Sequence, residues 1–68
     1  MKRTFYDVAV KLKEPVRGIH THRYNKCRKV RYRMKGENAK LWFYYPSGAV
    51  TTEEFSNVAS VEVEKYKR

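Results

Sequence analysis

The sequence predicts a small, mostly β domain, and three observations support this. Apolar and polar residues alternate along Phe5–Lys13 and Lys29–Lys35, the period of a strand with one buried face. Pro, Gly and Asn separate these short runs. Aromatic residues make up 15% of the chain, too many for a disordered polypeptide. A chain of 68 residues is expected to form one domain, residues 1–68, with a modest core.

The first strand is predicted over Phe5–Lys13. Its even positions are expected to face the core, and they are Tyr6, Val8, Val10 and Leu12. Glu14-Pro15 is expected to end it, because proline donates no ladder hydrogen bond. Residues 14–28 show no sustained period and are predicted to form a long basic loop, in which Ile19–Arg23 has the option of pairing as a short strand.

A hairpin is predicted next. Lys29–Lys35 has one apolar and one cationic face, Gly36–Ala39 has turn chemistry, and Lys40–Tyr45 is a run of residues that favour strands. The pattern leaves open which rings of the second strand are buried. Either Leu41, Phe43 and Tyr45 or Trp42 and Tyr44 face the core.

Three elements are expected after this hairpin: a short strand at Ala49–Thr51, one helical turn at Thr51–Phe55 and a last strand at Val58–Tyr66. The helical turn is indicated by threonine followed by two glutamates. The order of elements resembles that of SH3-like small barrels, in which a helical turn precedes the last strand, but no residue motif of such a family is present. The alternative is an open, twisted antiparallel sheet with one short helix packed on it.

Positive charge is concentrated in one segment. The net charge is +9, and residues 11–40 hold eleven Lys and Arg against two Glu, whereas residues 41–64 hold four Glu and neither Lys nor Arg. A solvated surface usually mixes both signs. The segmental excess therefore favours an anionic partner, either a nucleic acid or an acidic surface.

Cations beside rings on a sheet are typical of proteins that bind single-stranded nucleic acid, because the cations follow phosphates while bases stack on the rings. The sequence therefore predicts a small basic protein that binds RNA or single-stranded DNA with little sequence specificity. The alternative for the same face is purely structural stacking. The expected phosphate-binding residues are Arg17, Arg23, Lys26, Arg28, Lys29, Arg31, Arg33 and Lys35, and the expected stacking residues are Tyr24, Trp42 and Tyr44.

A second hypothesis is a small accessory protein, of the kind found in phages, that docks on an acidic surface of a larger protein and modulates it. A ribosome- or nucleoid-associated role would use the same basic face. Self-association into a homodimer is also open, since the acidic segment of one copy complements the basic segment of another.

Other classes are disfavoured. His20, His22 and Cys27 are too few for a tetrahedral zinc site, and cations surround them, so no metal or cofactor is expected and the histidines are instead expected to extend the anion-binding loop. No paired carboxylates or nucleophile–base constellation indicates an enzyme. The single cysteine and the lack of a long apolar run favour a reducing, cytoplasmic location without membrane binding. Glu62 and Glu64 are expected to pair with the basic strand.

Overall fold

A computed structural model describes residues 2–68, and this part of the chain forms six strands and no helix. The strands are β1 (Thr4–Val16), β2 (Ile19–Cys27), β3 (Lys29–Lys35), β4 (Asn38–Tyr44), β5 (Val50–Phe55) and β6 (Val58–Lys67). They form a first sheet, ordered β2-β1-β6, and a second sheet, ordered β3-β4-β5, with every pairing antiparallel. The prediction of a mostly β antiparallel protein is confirmed.

Two finer expectations are wrong for residues 2–68: no closed barrel forms, and no helical turn precedes the last strand. The predicted turn at Thr51–Phe55 lies in β5 instead, where each residue pairs with β4. Threonine and phenylalanine favour strands, and the cross-strand pairs stabilise β5 more than one capped turn would. Since this span has no helix, it also lacks any helix long and apolar enough to cross a membrane.

The predicted long loop is a hairpin. β1 continues to Val16, and a tight turn leads directly into β2. Arg17 and Gly18 both have positive φ (54° and 80°), the conformation that a two-residue hairpin turn requires and that glycine adopts readily. Pro15 is tolerated because β6 pairs with β1 only as far as Leu12, so no neighbour on that side needs its missing N–H.

The core lies between the two sheets. β1 contributes its even positions, as predicted, and β4 contributes its odd positions, so the two central strands bury facing side chains. Tyr24 of β2 lies parallel to Phe43 of β4, with 4.1 Å between ring centroids. The buried apolar residues are Val8, Val10, Leu12, Cys27, Ala39, Leu41, Phe43 and Val58.

The sheets are joined at one end by the turn between β3 and β4. The Val58 N–H donates to the Glu37 carbonyl oxygen (2.8 Å between N and O), and the Lys13 ammonium pairs with the Glu37 carboxylate. At the other side, β2 covers β4 and β5, because His22 and Tyr24 both contact Phe55. The β6 and β3 edges, in contrast, border an open groove.

Candidate nucleic-acid interface

The outer surface of the second sheet carries the strongest concentration of cations and rings, and we call it the cationic face. Burial of Leu41 and Phe43 turns the even positions of β4 outward, so Trp42 and Tyr44 lie on the outer surface. The register between β3 and β4 places Arg31 opposite Trp42 and Lys29 opposite Tyr44. The cationic face consists of Lys29, Arg31, Arg33 and Lys35 of β3 with Lys40, Trp42 and Tyr44 of β4.

Cations and rings are in contact on this face. The Arg31 guanidinium carbon lies 5.8 Å from the Trp42 ring centroid, and the Lys40 ammonium lies 5.3 Å from it. The Lys29 ammonium lies 5.5 Å from the Tyr44 centroid. These distances are within the range of cation–π attraction, and they place charge and stacking area on one surface.

Little negative charge opposes these cations. Five cationic side chains lie on the face, all of them exposed, and Glu54 of β5 is its one acidic residue within residues 2–68. Glu54 approaches Lys40 with 3.7 Å between oxygen and nitrogen, an exposed ion pair of little stabilising value. The face therefore keeps a local positive potential.

Sequence reasoning missed Lys40 as a site residue. It lies opposite Arg33 on the cationic face, because it shares the period-two pattern of Trp42 and Tyr44. That pattern was the signal for it. The structure also shows which side chains of β4 face the core: Leu41 and Phe43 are buried, so Trp42 and Tyr44 point outward.

The structure separates the other predicted cations from this face. Arg17 occupies the turn between β1 and β2, and Arg23 lies on the outer surface of the first sheet opposite Ala9. The backbone N–H of Lys26 donates to Asp7 Oδ1 (3.0 Å), and the Arg28 guanidinium lies over Phe5. These four residues do not form one loop surface.

Tyr24, expected to stack on bases, packs between the sheets instead. Its ring is stacked on Phe43, and burial, followed by the nearby Glu53 carboxylate, raises the pKa of its hydroxyl. The ring is partly buried and packs against the core. Trp42 and Tyr44 remain as the stacking candidates on the cationic face.

The histidines and the cysteine are spread along β2. His20 is exposed, His22 contacts Phe55 with 4.9 Å between ring centroids, and Cys27 is fully buried. Burial raises the pKa of the Cys27 thiol, an effect that a hydrogen bond with Tyr45 opposes. Within residues 2–68, no three His, Cys, Asp or Glu side chains are grouped to hold a metal ion.

Glu62 does not pair with the basic strand, because β6 lies beside β1 and not beside β3. Its carboxylate accepts a hydrogen bond from the Lys11 ammonium at 2.7 Å, and this lowers the pKa of Glu62. The outer surface of the first sheet is therefore mixed in sign, unlike the cationic face.

No protein-family model, curated protein or solved structure matches the chain. What is inferred about function therefore rests on the residues themselves. Among these, the cationic face combines the most charge with two partly exposed aromatic rings, so it is the candidate site.

Proposed function

We propose that this protein binds single-stranded RNA or DNA, with little sequence preference, through the cationic face. The observation that carries the proposal is that Trp42 and Tyr44 share one sheet surface with five cations and a single acid. Phosphates would pair with the cations while bases stack on the rings, each stacked base contributing about 1–3 kcal/mol. Neither interaction distinguishes one base sequence from another.

The dimensions of β3 set the expected length of the bound strand. Its four cations alternate over seven residues, a span of about 20 Å at about 3.3 Å per residue. A strand stacked as in a duplex rises about 3.4 Å per nucleotide, so at most roughly six nucleotides lie along this length, and fewer when the bases are splayed. An oligonucleotide of about eight nucleotides should therefore occupy the whole face.

A single strand is preferred over a duplex because a sheet surface presents rings to splayed bases. In a duplex the bases are stacked on one another, and Trp42 and Tyr44 would gain no stacking partner. The second sheet also offers no helix for the major groove. Duplex binding would then use the cations alone, and salt would abolish it more completely.

The chain contains an internal control for this proposal. On the outer surface of the first sheet, Phe5 and Tyr66 stack on each other and carry Arg28 and Arg68 at 5.6 Å and 5.5 Å from their ring centroids. This cluster also pairs cations with rings, although it has no tryptophan, and burial, followed by a hydrogen bond to Asp7, raises the pKa of Tyr66. If cation–ring pairs were merely structural, the two clusters would respond alike to nucleic acid.

The test is an NMR titration of isotope-labelled protein with an eight-nucleotide RNA and its duplex, at low and at physiological salt. The indole N–H of Trp42, the one tryptophan in the sequence, should shift together with the Arg31 and Arg33 amides. The Phe5 and Tyr66 signals should stay in place, and the duplex should have less effect.

Two outcomes would contradict the proposal. Equal shifts at both clusters would indicate non-specific charge attraction. Shifts that vanish at physiological salt would leave the cationic face without a nucleic-acid ligand, and an acidic protein surface would then become the better explanation of its charge.

A further inference from the structure

A groove of about 360 Å³ separates the edge strand of one sheet from the edge strand of the other. It is lined by Val30 and Tyr32 of β3, Val63 of β6 and Tyr6 of β1, together with the cations Arg28 and Lys29. Tyr32 is 50% exposed, Met34 41% and Val63 42%, although all are apolar or aromatic. Edge strands with exposed apolar side chains are sites where another strand can add.

The backbone of β3 is suited to such an addition. Lys35 and Asn38 close the two-residue turn at Gly36-Glu37, so they form a hydrogen-bonded pair. Alternation along the ladder then directs the backbone groups of Val30, Tyr32 and Met34 away from β4, toward the open edge. The side chains of these same residues lie on the groove side of the sheet.

The β6 strand has the complementary pattern. Val61 and Val63 pair with Val10 and Val8 and so face the groove side, while Glu62 and Glu64 face outward. Glu64 of β6 lies opposite Asp7 of β1, and two like charges in this position repel each other. A cation on the other side of Glu64 would reduce this repulsion. Over residues 61–64, β6 therefore has an apolar face beside an acidic face, which complements the apolar and cationic faces of β3, whereas Lys65 and Lys67 share the groove side farther along the strand.

We propose that a second copy of this chain docks on the open side, with β6 of each copy pairing with β3 of the other. A two-fold axis parallel to the strands places β6 of the first copy beside β3 of the second and β3 of the first beside β6 of the second. Both junctions form together, so the dimer is closed and no edge is left for a third copy on this side. It would contain two six-stranded sheets, each continued from the first sheet of one copy into the second sheet of its partner.

The charges select this arrangement over the other two-fold solution. An axis perpendicular to the sheets would pair β3 with β3 and β6 with β6, which brings the cationic face of β3 beside that of its copy and the Glu62 and Glu64 side of β6 beside its copy. Like charges on directly adjacent strands are destabilising. The β6–β3 junction instead pairs opposite charges and buries apolar side chains from both edges.

The test measures sedimentation equilibrium without nucleic acid, so its result is independent of the proposed function. The protein should associate into dimers, and Glu64→Lys or Arg31→Glu should each weaken dimerisation by about tenfold or more. In each variant, both junctions of the dimer bring like charges together where the original protein has opposite ones. Glu14→Lys near the end of β1 and Arg17→Glu in the β1–β2 turn make the same charge changes far from the proposed junctions and should have no effect. Amide spectra establish that each variant is folded.

Mixing the two variants gives the decisive result. In an equal mixture of Glu64→Lys and Arg31→Glu chains, the mixed dimer has opposite charges at both junctions, and association should return to the original strength. A protein that stays monomeric up to about 1 mM, or a mixture that fails to recover association, overturns the proposal.

A spin label distinguishes the two symmetric arrangements. Val63→Cys is labelled on one copy, which is selective because Cys27 is buried, and mixed with isotope-labelled protein of the original sequence. Broadening should be strongest at the amides of Tyr32 and Met34. Strongest broadening in β6 would indicate the β6–β6 arrangement and refute the proposed one.

Discussion

Removal of one cation from the cationic face should change the salt dependence of nucleic-acid binding by a calculable amount. For single strands, the logarithm of the binding constant falls with the logarithm of salt concentration, with a slope of about −0.7 per phosphate neutralised. The five cations of the face predict a slope of about −3.5. Lys40 is counted because its exposed pair with Glu54, at 3.7 Å, is weak enough to yield to a phosphate.

Arg33→Gln should reduce the slope to about −2.8. A fourfold rise in salt would then weaken binding by about 50-fold, compared with about 130-fold for the original protein. The assay is fluorescence anisotropy of a labelled eight-nucleotide RNA at four or more salt concentrations. Because the slope and the affinity are fitted separately, a change in charge is distinguished from a change in stacking.

Two matched variants give this assay its controls. Arg17→Gln removes the same charge from the β1–β2 turn, away from the face, and should leave the slope unchanged. Trp42→Leu keeps every charge, so it should lower affinity by about 5- to 150-fold at all salt concentrations without changing the slope. If Arg17→Gln and Arg33→Gln reduce the slope equally, the phosphates are not bound at the cationic face and the reasoning fails.

Three further predictions concern the fold. Phe43→Ala should lower the free energy of unfolding in urea by about 3–5 kcal/mol, since the ring is fully buried, whereas Val50→Ala at an exposed position should change it by less than about 0.5 kcal/mol. Burial raises the pKa of the Cys27 thiol, so the unfolded thiol ionises at a lower pH than the folded one. The free energy of unfolding should therefore decline as the pH rises above about 8.5. Cys27→Ala should lack this decline when urea titrations are repeated across this pH range. Lys11→Met should raise the pKa of Glu62 toward its ordinary range in a carboxyl NMR titration, because the Lys11 ammonium stabilises the charged carboxylate. The stability that this pair contributes is present above the ordinary pKa of a glutamate and is lost as the pH falls through the lowered pKa.

The alternating runs predicted the central strands and most of the core, because burial between two sheets directly requires a period of two. The two failures have different causes. In residues 14–28, β2 mixes His, Arg, Tyr and Asn on its two faces, since it is an edge strand with only one neighbour. At Thr51–Phe55, a local capping pattern was overridden by pairing with β4, and pairing between distant residues leaves no local signal.

The candidate site was predicted in part for a similar reason. The cationic strand face follows from the sequence of β3 alone, but the outward position of Trp42 depends on what β1 packs against. The scattered cations at Arg17, Arg23 and Arg28 looked like one loop because they are close in sequence. The hairpin that contains the first two carries them to different surfaces.

The pairing of strands explains why the charge on β3 is left uncompensated, and this couples the two proposals. β6 brings its acids to β1, so Glu62 and Glu64 lie on the first sheet and β3 has only β4 as a neighbour. In the proposed dimer, Glu62 and Glu64 of the second copy would lie beside Arg31 on one continuous sheet surface.

Those carboxylates would lower the positive potential that a nucleic acid uses, so the dimer should bind single strands more weakly than the monomer. Linkage is reciprocal for binding free energies, so nucleic acid should in turn weaken dimerisation by the same factor. Sedimentation with increasing amounts of eight-nucleotide RNA should therefore show dimers converting to monomers that carry RNA. Glu64→Lys, which disfavours the dimer, should bind RNA with an affinity independent of protein concentration. RNA that instead stabilises the dimer would show that the β3 edge and the cationic face act independently, and the antagonism argued from their shared arginines would be wrong.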